Sequence, residues 1–207
     1  MVAMRTPLRP SFRRSEEGAT LVEGLIVFPI ILLTFATFVE FGVAMVQWNQ
    51  TVKALQFGAR TLAVSDPLVN MAPFQPATGA LEGGPVPFDP ANPLTVSCGA
   101  GTTACIVTGM NRLITGSDGQ CNPSAQGTRL GMCDINQRLN AQNIRVTYYR
   151  SGLGYVGRPD GPVVSITVET RGLTFEFFFL GRLLGLNQIN IPAHPVTITS
   201  EDLSSTL

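Results

Sequence analysis

Charged side chains are scarce in this sequence. They make up 14% of its 207 residues, where soluble domains usually carry about 25%. That deficit suits a chain that spends part of its length in lipid. The 14 basic and 14 acidic residues cancel, so no long-range field recruits nucleic acid or an acidic surface. Histidine is nearly missing too: His194, between Pro192 and Pro195, is the only one. A Ser-His-Asp arrangement would depend wholly on it, and no G-x-S-x-G run marks a partner serine. The four cysteines form no C-x-x-C pair, which leaves zinc as the weaker reading of them. No acidic pair suited to acid–base work stands outside the N-terminal region. These absences argue against an enzyme, and no catalytic residue, metal or cofactor is expected.

What is present begins with an apolar run, Leu21 to Val39, in which Glu23 is the sole charge. Nineteen residues at helical rise reach ~28 Å, close to the ~30 Å of a hydrocarbon core. Arg5, Arg9, Arg13 and Arg14 precede the run, which puts the N-terminus in the cytoplasm and the remainder outside. A cleaved secretory signal would be shorter and would end in a small-x-small site. None follows here, so an uncleaved signal anchor is the plain alternative. Pro29 is tolerated in a membrane helix. Glu23 is harder to explain, because a charge at a span's centre costs about 2.5–3.5 kcal/mol on insertion scales and less near its edge.

The helical pattern continues past the span. Phe38, Phe41, Met45, Trp48, Val52, Leu55, Ala59 and Leu62 recur every three or four residues, an apolar seam on one face. One helix over about 19–64 is expected, lipid-spanning over about 21–39 and amphipathic beyond, until Ser65-Asp66-Pro67 ends it. Residues 65–142 are rich in Gly, Pro, Ser and Asn and read as loops, "EGGPVPFDPANP" above all. All four cysteines lie there. An even number on the extracytoplasmic side points to disulfides, and short loops favour Cys98–Cys105 and Cys121–Cys133.

Residues 143–207 carry alternating runs. Ile144, Val146 and Tyr148 face one way in "NIRVTYYR", and Val164, Ile166 and Val168 do so in "VVSITVET". "LTFEFFFL" aligns Leu173, Phe175, Phe177 and Phe179, and "HPVTITS" closes with Val196 and Ile198. Such runs predict antiparallel strands. The fold expected is α+β, a long N-terminal helix packed by its second half on a small antiparallel sheet.

Two runs invite other readings. "GLGYVG" places Gly152, Gly154 and Gly157 in a dinucleotide-binding spacing. That chemistry needs a helix to open at the glycines, whereas "RPDGPV" follows, so a hairpin loop is expected. "FEFFFLGRLLGL" is too short to span a membrane and is interrupted by Glu176 and Arg182. A strand turning into a short helix near 181–186 fits better, with an exposed face that could serve a partner or a lipid surface.

The N-terminal elements taken together resemble a known family. A basic leader ends in Gly18; Ala19 follows, then Val22-Glu23, Phe28-Pro29, Val39-Glu40-Phe41-Gly42 and Gly58-Ala59-Arg60. In order and spacing these resemble the TadE-like minor pilins or pseudopilins of the tight-adherence (Tad/Flp) type IV pilus system. The resemblance covers about 14–64. It implies removal of residues 1–18 by a prepilin peptidase, with Gly18 and Ala19 flanking the cut. It also implies assembly with other pilin subunits on an inner-membrane platform, and a part in pilus initiation or regulation, hence in cell adhesion. The family usually carries an aromatic after the glutamate, where this chain has Gly24.

The cut would expose the amine of Ala19, with an ordinary pKa near ~8. Glu23 lies about one helical turn away, ~6 Å along the axis. Its carboxylate is expected to pair with the amine of a neighbouring subunit and set the stagger between them. Packing roles are expected for Pro29, Phe41, Gly42, Trp48 and Gly58; Glu40 is expected to be solvated, with packing as the alternative. Two other classes stay open: a signal-anchored periplasmic binding or enzymatic domain, and a type II secretion pseudopilin.

Overall fold

The computed structural model describes residues 17–75, 81–122, 129–159, 163–179, 181, 185, 188–191 and 195–200. The basic leader up to residue 16, His194 and Arg182 lie outside them. The chain divides into two compact units: Met1–Val43 with Phe177–Asn187, and Ala44–Glu176 with Gln188–Leu207.

The first unit is built on the N-terminal part of helix α1 (Glu17–Ala63). The helix over Thr20–Ala63 contains an 18-residue window of mean hydropathy 2.3, apolar enough to cross a membrane, and none of that window is buried. Pro29 sits inside the helix without ending it. Thr34 and Thr37 donate their hydroxyls to the carbonyls of Ile30 and Leu33, 2.7 and 2.8 Å away. Their polarity is therefore met within the helix, as a lipid environment demands.

The second unit contains, after a 3₁₀ turn at Ala72–Phe74, β1 (Thr95–Gly99), α2 (Val107–Thr115), α3 (Met132–Ile135), β2 (Ile144–Tyr149) and β3 (Ser165–Thr170). Then come β4 (Thr174–Glu176), β5 (Gln188–Asn190) and β6 (Val196–Thr199). The main sheet runs β1-β2-β3-β6 with every pair antiparallel. Alternation works as the sequence promised: Ile144, Val146, Tyr148, Ile166 and Val168 are fully buried. They share one core with Ala54, Leu55, Ala59 and Leu62 of α1, so the helix covers the apolar face of the sheet. On the other face, registered hydroxyls bond across strands, Ser97 with Thr147 and Thr167 with Thr197, each at 2.8 Å.

Both expected disulfides are formed, Cys98–Cys105 and Cys121–Cys133. The first ties β1 to the entry of α2; the second ties the chain beyond α2 to α3. The glycines of "GLGYVG" have positive φ of 73°, 84° and 81°, and no helix opens after them among the described residues. A loop with a bridge from Tyr155 to Pro85 stands there instead.

Two expectations change. Residues 65–142 are not loop throughout, since β1, α2 and α3 fall within them. The short mixed run "TVSCG" gives no clear alternation, and α2 shows its pattern through only Met110, Leu113 and Ile114. "LTFEFFFL" contributes only Thr174–Glu176 as strand, paired with β5 in a separate two-stranded sheet. The position beside β3 is taken by β6, and Phe178 and Phe179 are exposed rather than alternately buried.

A candidate membrane and assembly site

The expected cleavage and registry residues lie in the first two turns of α1. Gly18 and Glu23 are both exposed, and a Cβ built on Gly18 would meet nothing within 4 Å. Regular helix from Glu17 onward keeps Glu23 about one turn beyond Ala19, ~6 Å along the axis. Gly24 and Gly42 are equally open, with no heavy atom within 4 Å of an added Cβ. Phe41 is exposed and Trp48 is half-buried.

Glu40 corrects the expectation that it is solvated. It is 2% exposed, and its carboxylate accepts a hydrogen bond from the backbone N–H of Phe179. A carboxylate removed from water needs donors to offset its desolvation, and this backbone amide is one.

The C-terminal part of the expected seam faces the domain, with Leu55, Ala59 and Leu62 in its core, and the N-terminal part does not. Phe38, Phe41 and Met45 are exposed, while Thr51, Ala54, Leu55, Gly58, Ala59 and Leu62 are buried. Gly58 packs against helix α3: a Cβ there would stand 2.5 Å from Met132 Sδ. Gln47 and Thr51, which are not among the seam residues, also contact the domain. Arg138 donates from Nη1 to Gln47 Oε1 at 2.6 Å and from Nη2 to the Thr174 carbonyl at 2.7 Å. Asn136 Nδ2 donates to Thr51 Oγ1 at 2.9 Å, and Thr51 donates to the Gln47 carbonyl at 2.8 Å. Sequence reasoning missed this network, because no local pattern marks partners 85 and 91 residues apart.

Gly18, the Glu23 turn, Val39-Glu40-Phe41-Gly42 and Gly58-Ala59-Arg60 thus mark successive levels along α1. The model of one protein family, TadE-like protein, matches residues 18–60. This stretch is similar to the TadE-like family. Its ends are Gly18 and Arg60, so it takes in most of α1 and leaves the sheet unmatched. No curated protein and no solved structure matches the chain.

Within the matched stretch the sequence elements named above divide by surroundings. Ala59 is buried at 1% and Gly58 is closely packed, while Arg60 points to solvent. Among the described residues, no three His, Cys, Asp or Glu side chains group as metal ligands would.

Proposed function

We propose that this protein is a non-enzymatic minor pilin or pseudopilin that helps to initiate or regulate assembly of a Tad (Flp) type IV pilus. The observation that carries this reading is the TadE-like match beginning at Gly18 and running along a helix apolar enough to cross a membrane. The chain would be made with its N-terminus in the cytoplasm, anchored in the inner membrane by α1, with the disulfide-bonded domain in the periplasm. Disulfides agree with an oxidising compartment.

A prepilin peptidase would cut between Gly18 and Ala19. The new α-amine of Ala19 is cationic below a pKa near ~8, and either that amine or Glu23 alone in lipid is unfavourable. Pairing Glu23 of one subunit with the Ala19 amine of the next offsets both and fixes the axial step between them. Partners are therefore other pilin subunits, the peptidase and the inner-membrane assembly platform. Mass spectrometry of the N-terminus tests the reading: a mature chain starting at Ala19 supports it. An intact leader in cells with an active prepilin peptidase sinks it.

A further inference from the structure

Phe178 and Phe179 are 70% and 62% exposed. Two adjacent phenylalanines in water would be an unfavourable surface feature, and here the hydrogen bond from the Phe179 N–H holds them at Glu40 of α1. The level of that bond decides what covers them. Counting from Leu21, Glu40 lies ~28 Å along the helix, the depth at which a ~30 Å hydrocarbon core gives way to headgroups. At the same level Phe38, Val39 and Phe41 are also exposed, so the aromatic pair stands at the same depth along the helix as exposed apolar side chains of the span's outer end.

We propose that Phe177–Phe179 is an interfacial anchor, latched to Glu40 and lying in the membrane–water boundary at the far end of the span. The occupant of this surface is lipid. Phenylalanine side chains partition to that zone, where an apolar body enters the acyl boundary while nearby backbone stays hydrated. The Glu40 carboxylate would be poorly placed at this depth without a donor, and the Phe179 amide supplies one. The latch thus does two things: it positions the aromatics and it offsets the desolvation of the carboxylate. The inference rests on α1 spanning the bilayer, and the experiment separates the two ideas.

The full chain, with Trp48→Phe to remove its only tryptophan, is reconstituted into phosphatidylcholine vesicles. Phe178→Trp reports the proposed anchor and Val27→Trp reports the span, each against lipids brominated at shallow or deep acyl positions. The proposal expects Trp at 178 to lose about half its emission to shallow bromines and Trp at 27 to be quenched by deep ones. Adding Glu40→Ala should abolish quenching at 178 and leave that at 27 unchanged. Quenching at 27 with none at 178 overturns the anchor while leaving the span intact. No quenching at 27 overturns the span itself. Shielding of Trp at 178 from aqueous iodide without bromolipid quenching, rising with protein-to-lipid ratio, would show a second copy on this surface and overturn the lipid assignment.

Discussion

Met132 Sδ occupies the space into which a side chain on Gly58 would grow, 2.5 Å from the position of its Cβ. Both residues are buried, Met132 completely. A glycine inside a helix costs about 1 kcal/mol relative to alanine, so this one needs a packing reason, and α3 provides it. Gly58→Val adds a branched group where the sulfur already sits, and overpacking of that kind costs about 1–3 kcal/mol. The variant, as full chain in detergent, should unfold at lower urea than the parent. Met132→Ala is expected to destabilise by itself but to cost less in the Gly58→Val background. Strict additivity of the two in a double-mutant cycle would show that the contact carries no energy.

Tyr148 is fully buried, and its hydroxyl accepts a hydrogen bond from the Leu68 N–H at 3.1 Å. Burial pushes its pKa up to about 12, against a smaller opposing effect of the Leu68 bond. Because the folded state holds the proton more tightly than the unfolded one, its stability contribution is complete below pH ~10 and is lost as pH rises towards 12. The pH-dependent loss is about 2–3 kcal/mol. Tyr148→Phe should lower stability by about 1–2 kcal/mol at pH 7, since it leaves the Leu68 amide unpaired. It should also flatten the decline above pH 10 relative to the parent. An unchanged alkaline slope in urea unfolding would remove Tyr148 as its source.

Local periodicity made much of this legible. The length of α1, the buried alternation in β2 and β3, and two disulfides closing short loops could be read from residues close in sequence. What stayed hidden depends on distant partners. Glu40 reads as a solvated charge until Phe179, 139 residues on, comes to its carboxylate. Gln47 reads as the polar face of a helix until Arg138 reaches it. β1 escaped notice because "TVSCG" is polar and small, and its strand form follows from pairing with β2 rather than from its own pattern. The candidate cleavage and registry residues, by contrast, were found only as parts of a family-like order; nothing local distinguishes Gly18 from any other exposed glycine.

The two disulfides differ in access. Cys98, Cys105 and Cys133 are buried, while Cys121 is exposed. Attack by a thiolate requires reaching a sulfur, so a mild reductant should open Cys121–Cys133 first. Alkylation followed by peptide mass spectrometry reads the order, and earlier labelling of Cys98 and Cys105 would contradict it. Replacing either pair by alanine should lower unfolding stability by about 2–3 kcal/mol, as expected for closing short loops.

Glu23 offers the sharpest test of the assembly reading because it is exposed on α1 and buries nothing in the fold. Its removal should therefore leave the disulfide-bonded domain intact. Glu23→Ala and Glu23→Gln should both reach the membrane and give the parent's unfolding midpoint. If the carboxylate pairs with a neighbouring Ala19 amine, both should lower the number of pili seen by electron microscopy, and glutamine should rescue little, since it keeps the shape without the charge. A paired carboxylate loses its partner when either charge is removed, so acetylating the mature amine should impair incorporation as Glu23→Gln does. Normal piliation in Glu23→Gln would mean that the charge sets no stagger, even if the leader is still removed after Gly18.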